Sequence, residues 1–388
     1  MSQILFNNPS EKLYEFFKIT PTPAIVFDLD SVEKTTYQMK NDIKNFINTK
    51  INFAVKATYN KSVLKIISNI VQGCDVASVG EHKLAKKCGF NTFTSTSPYY
   101  SIDDMKYFCD NDVVLDLDSI EQIIQFGEQN FESKKIGIRV AVPIPAILEN
   151  NASIGLDSRF GLELNRNTLD KLKNVTKKYN LEIVRFHVHT GQTTPDLLIY
   201  KLKYLLKMSE NFESVQMINF GGGFLYLYAN YEKLNETIEE YNDIYQNWSA
   251  VTDRTMEFLV EPGSAFVTGN GYLLSKVVAL KTHTGETPFV QCDCSFWNLN
   301  PWIISDPLNI SNYGDIINKY TLCGATLFEQ DKMPNKKISQ VRINDLLIFP
   351  AYGGYVGNMK NFNLLNKINF WGFYKGEYYE IEKTSFLP

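Results

Sequence analysis

One lysine stands directly after a short apolar run, in surroundings where its amine could take part in chemistry. The run spans residues 51–55 and is rich in β-prone side chains, and small or turn-forming residues follow Lys56. This pattern predicts a buried strand that carries Lys56 at its C-terminal end. Burial makes a lysine amine easier to deprotonate, and a neutral amine can form an imine with an aldehyde. The alternative is a strand-end lysine that extends into water.

A run of three glycines follows a second apolar segment, at residues 214–220. Gly221, Gly222 and Gly223 lack a Cβ atom, so their backbone N–H groups can close around a phosphate. A flexible turn is the alternative interpretation of the same run.

Two histidines and a glutamate occupy comparable positions in other apolar runs. His187 and His189 are two residues apart in the run 181–190, so both side chains point to the same side of a strand. We interpret His189 as a ring that stacks on a cofactor and His187 as structural. A zinc site is the alternative, and no further Cys/His cluster supports it. Glu261 ends the run 257–261, where its carboxylate could hold a pyridine nitrogen protonated or cap a neighbouring helix.

These groups need a scaffold that brings strand ends together, and the rest of the chain predicts one. Besides the strand that ends at Lys56, strands are predicted at 74–78, 91–95, 113–118, 135–142, 181–190, 214–220 and 257–261. Helical patterns separate most of them, at 60–72, 80–88, 101–109, 119–129, 167–179, 196–211 and 231–249. Eight strands that alternate with helices predict a (β/α)8 barrel. A doubly wound sheet is the competing fold, but no GxGxxG follows the first strand.

Barrels of this kind carry reacting groups at the C-terminal ends of their strands. The predicted ends supply the amine of Lys56, Arg139 on the fifth strand, the ring of His189, the glycine run and the carboxylate of Glu261. The glycine run follows the seventh strand, where barrels commonly bind phosphate. A lysine for an aldehyde, a stacking ring, a phosphate loop and a carboxylate together match what pyridoxal 5′-phosphate (PLP) requires.

The sequence changes in texture after the eighth predicted strand. Short apolar or aromatic runs alternate with turn clusters such as TGE, PNKK and KGE, which predicts antiparallel β structure. We therefore expect residues 31–264 to form the barrel and residues 265–388 to form a C-terminal β domain. The N-terminal segment 1–30 is expected to join that β domain.

Composition argues against several classes of function. The net charge of −4 disfavours a dedicated binder of nucleic acid or of acidic membranes. No run approaches the roughly 18 apolar residues of a membrane span, and residues 1–17 lack the basic and apolar regions of a secretory signal. The six cysteines lack CxxC spacing, so we expect reduced thiols, a cytoplasmic protein and no metal site.

The order and spacing of the motifs resemble the PLP-dependent decarboxylases of the alanine-racemase-like fold. This family includes the diaminopimelate, ornithine and carboxynorspermidine decarboxylases. The similar segments cover nearly the whole chain: TPAIVFDLD, AVKA, GCDVASVGE, IRV, SRFGL, FHVHTGQ, NFGGGF, EPG, and AYGGY followed by NFN. The resemblance implies a fold-type III PLP enzyme with a (β/α)8 barrel and a C-terminal β domain. It also implies a homodimer whose active sites are shared between the subunits.

The resemblance further implies roles for individual residues. Lys56 would bind PLP, His189 would stack on its ring, and Glu261 would pair with its pyridine nitrogen. The other implied or predicted positions are Gly221, Gly222, Gly223 and Tyr352 at the phosphate, Asp75 and Arg139 beside the cofactor, Asp331 in a catalytic segment donated to the neighbouring subunit, and Asp293, Ser264 and Leu327 toward the substrate.

Three positions depart from the family pattern. Gln192 stands where the family has serine after the HxHxG run, and Ser264 stands where an arginine follows EPG. The segment 324–331 keeps the glycine and aspartate of the family's GxxCxxxD motif, but Leu327 replaces the cysteine that supplies a proton to the substrate carbanion. Cys323 lies four residues earlier, too far to substitute without a local shift.

We therefore predict a PLP-dependent carboxy-lyase that acts on an amino acid or amino-acid-like compound, such as a polyamine precursor or a specialised-metabolite intermediate. The missing arginine at Ser264 disfavours ordinary diaminopimelate decarboxylation. A catalytically inactive relative that binds a partner is one alternative, although it would have little reason to keep the PLP contacts. A PLP racemase on the same barrel is the other alternative.

Overall fold

The structure is a computed structural model that describes residues 9–150, 152–283, 287–298, 305–311, 316–356 and 368–381. In these ranges the helices are α1 (Glu11–Ile19), α2 (Leu29–Ile43), α3 (Lys61–Ile70), α4 (Val79–Lys87), α5 (Ile102–Cys109), α6 (Ile120–Glu128), α7 (Arg166–Tyr179), α8 (Pro195–Ser209), α9 (Leu225–Ala229), α10 (Leu234–Thr252) and α11 (Ser264–Val267). The strands are β1 (Ala24–Asp28), β2 (Thr49–Ala54), β3 (Gly73–Val76), β4 (Thr92–Thr96), β5 (Leu115–Leu117), β6 (Lys135–Ala141), β7 (Leu162–Glu163), β8 (Glu182–Val188), β9 (Met217–Asn219), β10 (Glu257–Val260), β11 (Gly271–Lys281), β12 (Phe289–Cys292), β13 (Leu308–Asn309), β14 (Ile317–Cys323), β15 (Lys332–Ser339), β16 (Leu346–Pro350), β17 (Asn369–Tyr374) and β18 (Glu377–Glu380).

Eight parallel strands close into a barrel. The strand order is β5-β4-β3-β2-β10-β9-β8-β6, and a pairing between β5 and β6 completes the ring, while the short β7 pairs with β6. Because parallel strands need crossover connections, a helix follows each strand before the next one begins. The predicted (β/α)8 barrel is confirmed, and the doubly wound alternative is wrong because the sheet closes on itself.

Five consecutive helices of the barrel begin with a capping side chain. The side-chain oxygen of the capping residue accepts a hydrogen bond from the backbone N–H three positions later, at Ser78, Ser101, Ser119, Asn165 and Thr194. These bonds satisfy donors that have no partner within the first turn of a helix. The caps therefore fix where α4 to α8 start after the strands that carry the polar groups.

The second sheet is mixed. Its strand order is β15-β14-β12-β11-β1-β17-β18, and β16 pairs with both β11 and β13. Most pairs are antiparallel, as the sequence predicts, but β1 pairs with β17 and β12 pairs with β14 in parallel. The helix α1 packs on this sheet through Leu13 and Phe17, which join Val26 and Tyr272 in a buried apolar cluster. The predicted β domain separate from the barrel is confirmed.

The described residues form two compact units. The first contains residues 36–56 and 67–265 and includes the barrel, and the second contains residues 9–35, 57–66 and those from 266 onward and includes the mixed sheet. The domain boundaries predicted from the sequence stay predictions. No helix in the described part of the chain is long and apolar enough to cross a membrane.

Candidate active site

The register of the barrel strands brings several polar side chains to one level near the C-terminal strand ends, which we call the barrel mouth. Arg139 of β6, His187 of β8 and Asn219 of β9 are in register with one another. Asp75 of β3 is in register with Thr94 of β4. Because all eight strands run in the same direction, these groups share one end of the barrel.

Glu261 follows β10 and is only 2% exposed. Its Oε1 accepts hydrogen bonds from Thr94 Oγ1 and Asn219 Nδ2, each at 2.6 Å, and its Oε2 lies 3.5 Å from His187 Nε2. Burial acts to raise the pKa of this carboxylate, but the hydrogen bonds and charge supplied by His187, Thr94 and Asn219 outweigh it and lower the pKa to about 2. Side chains from three different strands therefore hold Glu261 ionised.

Asp75 is another buried carboxylate of the barrel mouth. Burial, and next the negative charge of Glu261, raise the pKa of Asp75 well above its ordinary value, and the charge of Lys56 offsets this only in part. The hydroxyl of Thr94 lies 3.3 Å from Asp75 Oδ1 as well as 2.6 Å from Glu261 Oε1. The two buried carboxylates therefore favour opposite forms, the ionised form for Glu261 and the protonated form for Asp75.

The two histidines differ in their surroundings. His187 is buried and contacts Glu261 through Nε2, and its Nδ1 has no hydrogen-bond partner among the described residues. His189 follows β8 and is partly buried. Burial, and next the positive charges of Lys56 and Arg139, lower the pKa of His189 well below its ordinary value, so its imidazole is neutral at neutral pH. A neutral ring fits the predicted stacking role of His189, which stays a prediction.

Lys56 is exposed, and the predicted burial of its side chain is wrong. The strand β2 ends at Ala54, before the predicted strand end, and the chain turns into a 3-10 helix at Val55–Ala57. Both neighbours of the lysine are fully buried in this turn, which leaves Lys56 as the exposed residue. Its positive charge still lowers the pKa values of Asp75 and His189. The lysine therefore lies near the polar groups of the barrel mouth without being desolvated.

The glycine triplet follows β9 and packs tightly against neighbouring backbone. Gly221 has φ of +67° and Gly223 has φ of +88°, values that favour glycine. A Cβ atom on Gly222 would lie 2.9 Å from the carbonyl oxygen of Glu261, and one on Gly223 would overlap the carbonyl oxygen of Gly191. The N–H of Glu261 donates to the carbonyl oxygen of Gly221 at 2.8 Å. These contacts argue against a flexible turn, because each glycine meets a specific steric demand.

Arg139 lies between a carboxylate and an aromatic ring. Its Nε is 3.7 Å from Asp118 Oδ1, and its guanidinium is 4.3 Å from the centre of the Phe160 ring. The N–H of Gly161 donates to the same carboxylate oxygen at 3.0 Å. Phe160 and Gly161 belong to the SRFGL motif, so this motif holds Arg139 in place from two sides.

The predicted carboxylates of the second unit are engaged within that unit. Asp331 Oδ1 accepts a hydrogen bond from the N–H of Phe296 at 2.8 Å, and Oδ2 accepts one from the hydroxyl of Thr326 at 2.8 Å. Asp293 accepts from two hydroxyls and one backbone N–H of the same unit. The structure thus gives both residues a loop-holding role that the sequence did not indicate. Their roles in catalysis and substrate binding stay predictions.

Three further predicted residues differ in exposure. Leu327 is 93% exposed in the loop that Asp331 holds, whereas Tyr352 is fully buried and meets the ring of Phe349 edge-on. Ser264 begins α11 directly after the EPG motif and is partly buried. The phosphate contact of Tyr352 and the substrate contacts of Leu327 and Ser264 stay predictions.

Sequence analysis missed two residues that orient Glu261. Asn219 is a fully buried amide in the otherwise apolar strand β9, and that anomaly is a signal the sequence contains. Thr94 lies in the strand TFTST, where four of the five residues carry a hydroxyl and no single one stands out. The sequence therefore contained a usable signal for Asn219 and none for Thr94.

The barrel mouth fits PLP by two independent features. The buried, ionised Glu261 suits the protonated pyridine nitrogen of the cofactor. In the loop after β8, Thr190 Oγ1 and Gln192 Oε1 are buried and have no hydrogen-bond partner among the described residues. Buried polar atoms without partners are rare in folded proteins, and a bound ligand is one of the groups that can satisfy them. A rotation of the terminal amide of Gln192 by about 180° exchanges its oxygen and nitrogen, so this side chain can also donate a hydrogen bond to a ligand.

Sequence comparisons identify a family that covers most of the barrel. A family model described as "Pyridoxal-dependent decarboxylase, pyridoxal binding domain" matches residues 29–268. The chain is 25% identical over 281 residues to a diaminopimelate decarboxylase of Helicobacter pylori, an alignment that covers 68% of this chain and 67% of that protein. It is 24% identical over 392 residues to the diaminopimelate decarboxylase of Buchnera aphidicola, covering 92% of this chain and 90% of that protein.

Solved structures share the fold. The diaminopimelate decarboxylase of Helicobacter pylori complexed with L-lysine superimposes with a TM-score of 0.80 at 20% identity and covers 95% of each chain. The arginine decarboxylase of Paramecium bursaria Chlorella virus bound to agmatine gives a TM-score of 0.79 at 18% identity, covering 92% of this chain and 99% of that one. The family model, which matches more than half of the chain, settles the assignment. The chain belongs to the pyridoxal-dependent decarboxylases, and it is a PLP enzyme that decarboxylates an amino acid or an amino-acid-like substrate.

Proposed function

We propose that the barrel mouth is the decarboxylation site, with Lys56 as the attachment point of PLP and Glu261 as the partner of its pyridine nitrogen. The observation that carries this proposal is the state of Glu261, which is buried and yet held ionised with a pKa of about 2. A carboxylate in that state can keep a proton on a pyridine nitrogen. When bound, PLP supplies an electron sink for the bond that loses its carboxylate.

The neighbouring residues have distinct proposed parts. The neutral imidazole of His189 stacks on the cofactor ring without adding a charge beside the protonated nitrogen. The glycine triplet holds the phosphate through the N–H groups of Gly222 and Gly223, while the N–H of Gly221 donates to Asn219 Oδ1 at 2.9 Å. The raised pKa of Asp75 favours its neutral form, which limits the negative charge that lies beside Glu261.

We propose that the substrate carries a basic or neutral group at its distal end. Ser264 offers no fixed positive charge at the position after EPG, whereas a distal carboxylate would call for one. The relatives include both diaminopimelate decarboxylases and an arginine decarboxylase, so substrates of either class occur among similar proteins.

Release of CO2 from a panel of amino acids tests the function and the substrate class together. We expect arginine, ornithine or a polyamine-like amino acid to give kcat/KM at least about tenfold above meso-diaminopimelate, because a lost charge-assisted hydrogen bond costs at least that much. The Lys56→Ala variant serves as the matched control and should release no CO2. Faster release from diaminopimelate would contradict the substrate class, and release by the control would contradict the function.

We also propose a homodimer and a cytoplasmic location. All six cysteines are free, which supports a reducing compartment. Sedimentation of the purified chain at micromolar concentration should give a single species of twice the chain mass. A stable, active monomer would contradict the shared active site.

A further inference from the structure

A lysine that has no part in the proposed chemistry lies fully buried beside the loop after β8. Lys201 is on α8, on a helix face that is otherwise formed by apolar residues such as Leu198, Leu202 and Leu205, all of them buried. A buried ammonium in apolar surroundings costs free energy unless a partner offsets it. A buried amine at this position therefore calls for a compensating interaction.

The contacts of Lys201 lead to the glycine triplet. Its Nζ donates to Thr193 Oγ1 at 2.9 Å and lies 5.9 Å from the centre of the Phe220 ring, directly before the triplet. The backbone N–H of Thr193 in turn donates to the carbonyl oxygen of Gly223 at 2.7 Å. Lys201 and Thr193 are both fully buried, so the hydrogen bond between them is shielded from water. Gln192, with its unpartnered Oε1, precedes Thr193 in the same loop.

The charges around Lys201 do not neutralise it. Burial lowers the pKa of Lys201 to about 7, and no carboxylate of the described residues acts against this shift. On the barrel side the neighbouring titratable group is His189, whose pKa the charge of Lys201 lowers further. On α10, Glu240 pairs with Lys203 at 3.2 Å, and the hydroxyl of Tyr241 lies 3.3 Å from that of Thr49. The site is therefore short of one negative charge.

We propose that Lys201 is a positioning residue that strengthens phosphate binding at the glycine triplet through Thr193. The proposal rests on the proposed function, in which the triplet holds the phosphate of PLP. The bound dianion supplies the missing negative charge. Above about pH 7, where the Lys201 amine of the free protein is mostly neutral, Lys201 takes up a proton from solvent as the phosphate binds. The direction of this proton transfer follows from linkage, because a ligand that favours the charged form of the lysine raises the lysine pKa. The benefit is then fully present below about pH 7 and is lost as the pH rises through the raised lysine pKa of the complex.

The experiment compares PLP with pyridoxal, which lacks the phosphate, in the cofactor-free full-length chain. The dissociation constant of pyridoxal divided by that of PLP measures how much the phosphate contributes to binding. We expect Lys201→Met to reduce that ratio on the order of tenfold to a hundredfold, the usual range for a lost charge-assisted interaction, while leaving the pyridoxal constant within about threefold. Lys201→Arg should restore most of the ratio. Lys203→Met is the matched control on the same helix and should match the parent.

A second readout stays available if Lys201→Met does not fold. Calorimetry of the parent at pH 8 in two buffers of different ionisation enthalpy counts the protons bound with each ligand. A phosphate monoester has its second pKa near about 6, so at pH 8 an additional uptake approaching one proton with PLP belongs to the protein. An unchanged ratio in a folded Lys201→Met variant, or no additional uptake, overturns the role of Lys201. No phosphate advantage in the parent itself overturns that role together with the proposed phosphate loop.

Discussion

The barrel mouth and the loop at residues 324–331 each contain a buried carboxylate, and the two are held in different ways. Glu261 is fixed by side chains from three separate strands, and its backbone N–H is bonded to the glycine triplet. Asp331 is fixed by the N–H of Phe296 and by the N–H and hydroxyl of Thr326, all within the second unit. Both carboxylates have hydrogen-bond partners. Among the described residues, however, only Glu261 contacts a side chain that has an unpartnered buried atom, Nδ1 of His187.

This difference separates a carboxylate that is positioned for chemistry from one that stabilises a loop. A charge held by side chains at the ends of several strands can be oriented toward a ligand, because the strands set its direction. A carboxylate whose oxygens already accept hydrogen bonds from the amides and hydroxyl of nearby loops has no free acceptor for a ligand, as in an Asx-type turn. We therefore expect substitutions of Glu261 to act on turnover and substitutions of Asp331 to act on stability.

The largest effect expected from this comparison is on turnover. Glu261→Gln should lower kcat by about 10²–10³, because a neutral amide cannot hold the pyridine nitrogen protonated, and positioned charges and acids contribute on this scale. Its thermal midpoint should change little, since the amide can still accept from Thr94. Asp75→Asn is the comparison variant and should lose less than about tenfold, because burial and the charge of Glu261 raise the pKa of Asp75 and favour its neutral form. Equal losses in the two variants would contradict the assignment of the charge to Glu261.

The next effect is on stability. Asp331→Ala should reduce the free energy of unfolding by about 2–4 kcal/mol, because it leaves the buried N–H of Phe296 and the partly buried N–H and hydroxyl of Thr326 without an acceptor. Asp331→Asn retains one acceptor oxygen and should lose roughly half as much. Chemical denaturation of the three proteins measures the difference. If Asp331→Ala kept full stability and lost only activity, the loop-holding role would be wrong.

The smallest expected effect is at Leu327, which Asp331 leaves exposed in the same loop. Leu327→Cys should change the free energy of unfolding by less than about 0.5 kcal/mol, because the side chain is 93% exposed. Turnover is the informative quantity for this variant. A positioned general acid contributes about 10²–10⁴-fold, so even imperfect geometry should raise kcat several-fold if protonation is limiting. A slower cysteine variant with clean product from the parent would make Leu327 a substrate contact.

The sequence predicted the barrel well because its local signals agreed with the global fold. Eight apolar runs separated by capped amphipathic helices leave few other arrangements, and helix caps such as Ser78 and Ser119 mark the starts. The mixed pairing of β1 with β17 could not be read in this way, because strand partners far apart in sequence depend on tertiary packing.

The site was predictable only where one residue type carried the signal. The glycine triplet and Glu261 stood out by type and position. The exposure of Lys56 could not be predicted from the sequence, because it depends on a 3-10 turn that ends β2 early. The hydroxyl of Thr94 and the buried amine of Lys201 act through partners on other elements, and such pairings have no local pattern.

Reduction of the cofactor-loaded protein with borohydride, followed by peptide mass spectrometry, tests the central assignment most directly. The reagent turns the bond between the lysine and PLP into a stable secondary amine, so the label marks the attachment point. The proposed function predicts a single pyridoxyl label on Lys56 and loss of the label in Lys56→Ala, while Lys201→Met retains it on Lys56 at saturating PLP. A label on Lys201 or another lysine in the parent, or an undiminished label in Lys56→Ala, would contradict the account.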